Sequence, residues 1–519
     1  MRILWLVVII ALGLGVRTVA LVWGQGYEHS SIGDEIEAYQ FARDYAAGVE
    51  RAQYLGQPNF SHGKVPGPLW ALFWLGAMQL GGGPESVMWV MLLLNVAVIP
   101  LVYILARKLF GPAYALWAAL FYAASPWAAH LSLGCLNFSI MAILGVGLYL
   151  ALWDVIQQPR SAHIFWVCVT LAVMPQFHMM GAFLVPAVAL IIVLSPRPVS
   201  KRWLAAGIAV GLALYVPYVR GEMAHHWSNT RSLVGGEMKY TFGVLKIFTL
   251  PITVMSDLIS SWAGSGIGDY VRFGNAAFGS FYLLVLFNAV SLALAVVYLG
   301  GFVCGLARAI RSTGYSPGAL FRAEPATAFI GTLLFMPSLL FIFTGHNFAS
   351  RYLFVQFPIL MLLPALCVVD RFLRSPRRRW LMTAVALTIA FDVAVTLTFS
   401  QYTGHLIEHG DYFVPSFRNL QKVYGLLRAD AGPGVRIRVD ADDYPKDAGR
   451  EPRRGADLIS EYVRVRENDF HHGQKLTAKK TYLIVPATSP VGNNERVVFA
   501  GNGIKLLALP SAPHGPTSE

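Results

Sequence analysis

Apolar runs of about twenty residues recur along this chain, and they constrain its fold more than any other feature. Ile3–Trp23 is the first. Ten more can be placed at about 84–106, 111–131, 135–153, 162–177, 179–195, 203–219, 279–305, 326–343, 352–369 and 380–400. Coiled into a helix, such a run crosses the hydrocarbon core of a bilayer with every backbone N–H and C=O satisfied internally. Composition agrees: 55% of the 519 residues are hydrophobic and 13% charged, where a soluble chain carries roughly a quarter charged residues. A soluble enzyme, a disordered chain and a disulfide scaffold are thereby excluded. Arg17 interrupts the first run and more runs follow it, so it reads as an uncleaved span rather than a signal peptide. The expected fold is an all-α polytopic membrane protein with about eleven transmembrane helices.

The net charge of +12 would suit nucleic acid if it were gathered on a soluble face. It is not. Residues 1–400 hold 25 Lys/Arg against 15 Asp/Glu, and the remaining 119 residues hold 16 against 14. With the N-terminus in the cytoplasm, 15 of those 25 basic residues fall in cytoplasmic segments, among them Arg107, Lys108, Arg160 and the cluster Arg371–Arg379. That bias is the positive-inside pattern, and it places the C-terminal tail outside. Three outer segments are long: 24–83, 220–278 and the tail from about 401. Only they carry the varied polar groups that chemistry needs. Cytosolic nucleotides are out of their reach, and no phosphate-cradling glycine motif in the right context is visible. Cys135, Cys168, Cys304 and Cys367 lie in or beside apolar runs without metal spacing and read as small buried hydrophobes. The tail, 401–519, is expected to be a small extracytoplasmic α/β domain. Phe417–Leu427 has helical spacing, and Val435–Val439, Tyr482–Pro486, Val497–Ala500 and Ile504–Leu509 are strand-like.

The segment after span one is the most informative. Asp34-Glu35 stands just beyond the membrane, with Ser30, Ser31 or Asp34 able to cap a helix. The spacing Ile36, Tyr39/Gln40, Ala42/Arg43, Ala46/Ala47 predicts an amphipathic helix lying on the interface. His62–Pro68 is a stiff turn, and Leu69–Leu80 a second apolar helix. Spacing alone leaves two readings of Asp34-Glu35: an N-terminal cap favoured by the helix dipole, or a chemical pair. Lys64 is likewise either an interfacial snorkelling cation or a ligand for an anion.

Four features together resemble the GT-C class of glycosyltransferases that use polyprenyl-phosphate sugars, a group that includes protein O-mannosyltransferases and the aminoarabinose transferase of lipid A. They are Arg17 in the outer half of span one; Asp34-Glu35 followed by Tyr39 and Ala42; the turn Lys64-Val65-Pro66-Gly67-Pro68-Leu69; and Arg351-Tyr352-Leu353 with Pro358 opening a late span. The family often has His-Pro-Pro-Leu at the turn, from which this chain departs. The likeness covers about residues 1–400.

What the resemblance implies is a donor sugar on a polyprenyl phosphate, moved at the outer face of a bacterial cell membrane to an envelope glycan, lipid or protein. Asp34 is then the general base, and Glu35 orients the acceptor or raises the Asp34 pKa by like charge. Lys64, Arg351 and Arg17 are phosphate partners, with Tyr39, His178 and Tyr352 as further substrate contacts. An arginine inside a span is expected to have an anionic partner or to snorkel outward. His225-His226 and His346-Asn347 read as solvated, as do Asp257 and Asp269, while Asp392 reads as a buried hydrogen-bonding group. A divalent metal held by Asp34, Glu35 and outer histidines stays open. The rival reading is a lipid or sugar transporter, which needs mid-span ionisable groups; here only Arg17 and Asp392 qualify. A non-catalytic scaffold docking through its tail is a third.

Overall fold

A computed structural model describes residues 2–24, 32–58, 63–81, 83–235, 246–255, 267–343, 350–409, 423–427, 429, 435–439, 480–486, 496–501 and 504–508. The chain begins with α1 (Arg2–Trp23) and α2 (Ile32–Ala46), then a 3-10 turn, strands β1 (Leu55–Pro58) and β2 (Lys64–Pro66), and α3 (Leu69–Gly81). Next come α4 (Glu85–Phe110), α5 (Pro112–Ala124), α6 (Pro126–Leu133), α7 (Met141–Gln157), α8 (His163–Phe177) and α9 (Leu184–Leu194). After them run α10 (Lys201–Leu214), α11 (Val216–Ala224), α12 (Ser228–Gly235), α13 (Lys246–Met255) and α14 (Ile267–Phe278). The long α15 (Phe281–Ser312) is followed by α16 (Pro317–Ala323), α17 (Pro325–Phe343), the short α18 (Phe357–Leu360) and α19 (Leu362–Cys367), and finally α20 (Arg378–His409).

Local chemistry sets these boundaries. Pro112, Pro126 and Pro317 sit in the first turn of their helices, where a missing N–H costs nothing. Ser125 caps α6 by accepting from the Ala128 N–H at 3.4 Å. Gly111, at φ +99°, separates α4 from α5. Such breaks shorten the apolar runs. Among the described residues four helices are long and apolar enough to cross a membrane alone: α1, α4, α15 and α20. The pair α10 and α11, bent by 42°, makes a fifth if counted as one span. The other apolar runs fall on shorter or broken helices, so helix length by itself supports a multi-pass membrane protein rather than a count of eleven.

Helices approach closely where side chains are smallest. A Cβ at Gly13 of α1 would lie 2.3 Å from Ile99 Cδ1 and 3.2 Å from Ala123 Cβ, so this glycine lets α1 pack against α4 and α5. Three readings change. The segment 220–278, expected to be an outer loop, contains α12, α13 and α14, because apolar residues such as Ile247, Val254 and Phe273 are buried there. The helix over 32–46 buries Ile36, Ala38, Tyr39, Phe41 and Ala42, more than one stripe, while Ala46 and Ala47 at its far end are exposed. It is packed against α3 rather than lying bare on the interface. Cys304 is exposed on α15, whereas Cys135 and Cys367 are buried as expected.

In the tail, β3 (Val435–Val439) pairs in parallel with β4 (Lys480–Pro486), which pairs antiparallel with β6 (Ile504–Ala508), itself antiparallel to β5 (Arg496–Gly501). Asn502-Gly503, a pair suited to two-residue hairpins, separates the last two strands. A helical segment at Val423–Leu427 precedes the sheet.

Candidate active site

Lys64 lies on a short hairpin. β1 and β2 pair antiparallel, with Leu55 opposite Pro66 and Pro58 opposite Lys64. Glycines in left-handed conformation, Gly63 at φ +78° and Gly67 at φ +96°, bracket β2. The Lys64 side chain is half-buried, and its Nζ lies 5.2 Å from the centre of the Phe41 ring on α2, a cation–π contact. Burial pushes the Lys64 pKa below its ordinary value, and the nearby Arg51 charge pushes the same way. Asp44 and Glu37 on α2 oppose the shift. By helical spacing, Asp34 falls on the same side of α2 as Glu37, Ala38 and Phe41, two turns (about 10.5 Å of rise) before Phe41. The Asp34 and Glu35 side chains lie outside the described residues.

The Lys64 backbone is held from the 220–278 segment. Asn229 on α12 accepts from the Lys64 N–H at 2.6 Å and donates to the Lys64 carbonyl at 2.9 Å. Asn229 is in turn fixed by Glu222, a carboxylate with no solvent exposure. Glu222 accepts from the Thr230 N–H at 2.7 Å and the Asn229 N–H at 3.3 Å, satisfying orphan donors at the start of α12. Tyr218 completes the cluster: its hydroxyl accepts from Asn229 Nδ2 at 3.2 Å and meets Thr230 Oγ1 at 2.9 Å. Nearby, His225 stacks on Tyr54 with ring centroids 5.6 Å apart and lies 3.3 Å from the Glu50 carboxylate. It is no solvated loop histidine. Burial raises the Tyr54 pKa. None of Tyr218, Glu222 or Asn229 was singled out from the sequence. Glu222 was the available signal, a lone acid closely following an apolar run.

Behind the turn stands Gln176, 1% exposed, near the C-terminus of α8. It packs on Gly67, where a Cβ would come 2.1 Å from Gln176 Oε1, and donates to the Leu214 carbonyl at 3.3 Å. Its Oε1 has no hydrogen-bond partner among the described residues. His178, an expected substrate contact, is buried, and its Nδ1 accepts from the Met180 N–H at 3.2 Å, capping the next turn. Tyr39 is 1% exposed and lies against Trp74 at 6.2 Å, with Trp70 beyond. The indole N–H groups of Trp70 and Trp74 are buried without acceptors among the described residues, an arrangement native interiors rarely leave unused.

Arg17 has a different setting. It is fully buried and donates to the carbonyls of Gly13 at 3.1 Å, Ala123 at 3.0 Å and Tyr122 at 3.3 Å. The last two are orphan carbonyls at the C-terminal end of α5, the negative end of its dipole. No carboxylate among the described residues pairs with it, so the expected anion is replaced by carbonyls and by the Tyr122 ring, 5.7 Å from the guanidinium carbon. Tyr122 packs on Phe357 at 5.7 Å, in the segment that also carries Arg351 and Tyr352. Those two lie on a 3-10 turn, Ser350–Val355; their side chains are outside the described residues. The turn is anchored by Gln356, fully buried, which donates to Leu333 O at 2.9 Å and Leu334 O at 3.1 Å, and by Tyr149, which donates to Val355 O at 2.8 Å. Asp392 is buried in α20, with its carbonyl accepting from Thr396 Oγ1 at 2.9 Å. His346, Asn347 and Asp257, and the Asp269 side chain, lie outside the described residues. Among the described residues no group of three His, Cys, Asp or Glu is placed to hold a metal ion.

The structure therefore brings Lys64 to the Phe41 face of α2, on which Asp34 falls, and Gln176 to Gly67 of the same turn; Tyr39 packs on Trp74 instead, His178 caps the turn after α8, and Arg17 lies against Tyr122, which packs on Phe357. A family model for dolichyl-phosphate-mannose-protein mannosyltransferases matches residues 63–220, which begin at this turn. Among solved structures, ArnT from Cupriavidus metallidurans bound to undecaprenyl phosphate is similar, with a TM-score of 0.56 and 14% identity over 97% of this chain and 98% of that one. The same protein in the apo state gives 0.54 and 14%, covering 97% of each chain. The oligosaccharyltransferase AglB from Archaeoglobus fulgidus, in complex with an inhibitory peptide and a dolichol-phosphate, gives 0.45 and 12%, covering 94% of this chain and 69% of that one. No curated protein matches by sequence. The class is thus defined: the chain has the GT-C glycosyltransferase fold. Within it, the chain is similar to ArnT over nearly the whole of both lengths.

Proposed function

We propose that the chain is an integral membrane glycosyltransferase. It takes a sugar from a polyprenyl-phosphate carrier and transfers it to a cell-envelope glycan, lipid or protein at the outer face of a bacterial cell membrane. The N-terminus is cytoplasmic and the tail extracytoplasmic. The observation that carries this reading is a half-buried lysine, gripped through its own backbone, beside the face of α2 on which Asp34 falls, in a GT-C fold. The undecaprenyl phosphate bound to ArnT supports the donor class.

In this reading the acceptor hydroxyl or amine attacks the anomeric carbon and gives its proton to Asp34. The bond from that carbon to the carrier oxygen breaks, the lipid phosphate leaves with the electron pair, and the configuration inverts. Lys64 and Arg351 take up the charge on the departing phosphate. Arg17 supports the same anion only if it exchanges carbonyls for phosphate. Glu35 orients the acceptor or raises the Asp34 pKa, while Tyr39, His178 and Tyr352 shape the sugar pocket.

The test is transfer from a lipid-linked sugar by purified protein. Asp34→Asn is expected to lose about 10²–10⁴-fold in rate while keeping its melting temperature; an active Asp34→Asn enzyme would remove the base. Mass spectrometry of envelope glycans and glycolipids from a deletion strain is expected to show one missing sugar, which names donor and acceptor together. Movement of the lipid-linked sugar across proteoliposomes without turnover would replace transfer by transport.

A further inference from the structure

The end of the bundle away from Lys64 holds a second group of charges. Lys108 Nζ, at the end of α4, bonds both Asp154 oxygens on α7 at 2.6 and 2.7 Å, and His163, which begins α8, lies 3.7 Å from Asp154. These three helix ends share one level. From there α8 runs about 20 Å before Gln176 meets Gly67. At that far level, beside Phe110, opens a cavity of about 350 Å³, within the range of about 300–1,000 Å³ typical of small-molecule sites.

Its walls are mixed. Tyr298 and Phe302 of α15 give an aromatic side, and Arg308, Arg371 and Glu324 give charges. Arg371 donates to the Gly301 carbonyl at 3.1 Å, lying so close that a Cβ at Gly301 would be 3.0 Å from Nη1. Arg308 spends only Nε, on the Cys304 carbonyl at 3.4 Å; its two Nη groups have no protein partner among the described residues. The other acid in the lining, Asp370, is already engaged by the Tyr114 hydroxyl at 2.7 Å and by Arg374 at 3.6 Å. Gly305 keeps the cavity open: no atom lies within 4 Å of a Cβ built there. On the adjoining flank of α15, Leu283, Val290 and Val297, spaced seven apart, are exposed, as lipid-facing residues would be.

We propose that this cavity takes the phosphate headgroup of a membrane glycerophospholipid. Arg308 and Arg371 hold the phosphate through their planar forks, Glu324 receives any headgroup amine, and the acyl chains run along α15. The site shares no residue with the transfer chemistry above and does not depend on it. Native mass spectrometry of the full chain in detergent, titrated with phosphatidylglycerol, phosphatidylethanolamine or inorganic phosphate, reads occupancy directly. The wild-type chain is expected to retain one phospholipid about tenfold better than Gly305→Leu, whose side chain enters open space, and better than Arg308→Gln by a similar factor, the scale of one lost charged hydrogen bond. Sugar transfer is expected to persist in both variants. Equal lipid occupancy in the three proteins overturns the proposal. Retention of inorganic phosphate with no phospholipid also overturns it, and marks a soluble-anion site instead.

Discussion

Lys64 is informative because its charge is made uncomfortable. Held below the ordinary 10.5 by burial and Arg51, its ammonium weakens the folded state at neutral pH, and that cost lessens as pH climbs through the lowered value toward 10.5. An anionic phosphate restores the proton, so binding of a lipid phosphate is expected to fall along an alkaline limb that starts below pH 10.5. Lys64→Arg is expected to move that limb upward, which a pH series of lipid-phosphate binding checks. Arg17 poses the opposite question. If its work is to hold the carbonyls of Tyr122 and Ala123, Arg17→Met leaves two buried acceptors unsatisfied, at about 1–3 kcal/mol each. The melting temperature then falls and lipid-phosphate affinity changes little. A tenfold loss of affinity at unchanged melting temperature would make Arg17 a phosphate ligand instead. The resemblance made Arg17 visible in the sequence, but its partners were not, because backbone carbonyls at a helix break carry no sequence label.

At the scale of elements, two segments far apart in sequence, 24–83 and 220–278, are keyed together. Asn229→Ala removes both bonds to the Lys64 backbone, worth about 1–3 kcal/mol together; the expected result is a higher KM for the lipid donor with the fold retained, measured by transfer kinetics. Gly67→Ala is expected to cost about 1–3 kcal/mol, since φ +96° resists a side chain and its Cβ would enter Gln176; thermal melting checks it. The α3 helix was legible because Pro66-Gly67-Pro68 reads as a stiff turn and an apolar run follows it. The four tail strands were legible from short β-branched runs between polar stretches. The β1–β2 hairpin was not: Leu55-Gly56-Gln57-Pro58 has neither alternation nor β-branched residues, and its pairing is imposed by what packs around it. Helices α12 to α14 were hidden for a related reason, being short and interrupted by Gly and Pro, so tertiary contact decides them.

For the whole molecule, the expectation is two chemistries at two ends: Lys64 and α2 at one, Arg308 and Arg371 at the other. Single cysteines placed at exposed Ala46 and exposed Arg374 should therefore react with an impermeant maleimide from opposite sides of sealed vesicles; labelling from the same side would break the topology on which the outer-face reading rests. The length of α15 adds a constraint of its own. Thirty-two residues make a rod of about 48 Å, against some 30 Å of hydrocarbon in an ordinary bilayer. Such a rod either leans steeply or lifts several turns clear of the tails, with Tyr282 at one tip and Arg311 at the other. A thinner or thicker bilayer changes how far those tips ride above the waterline.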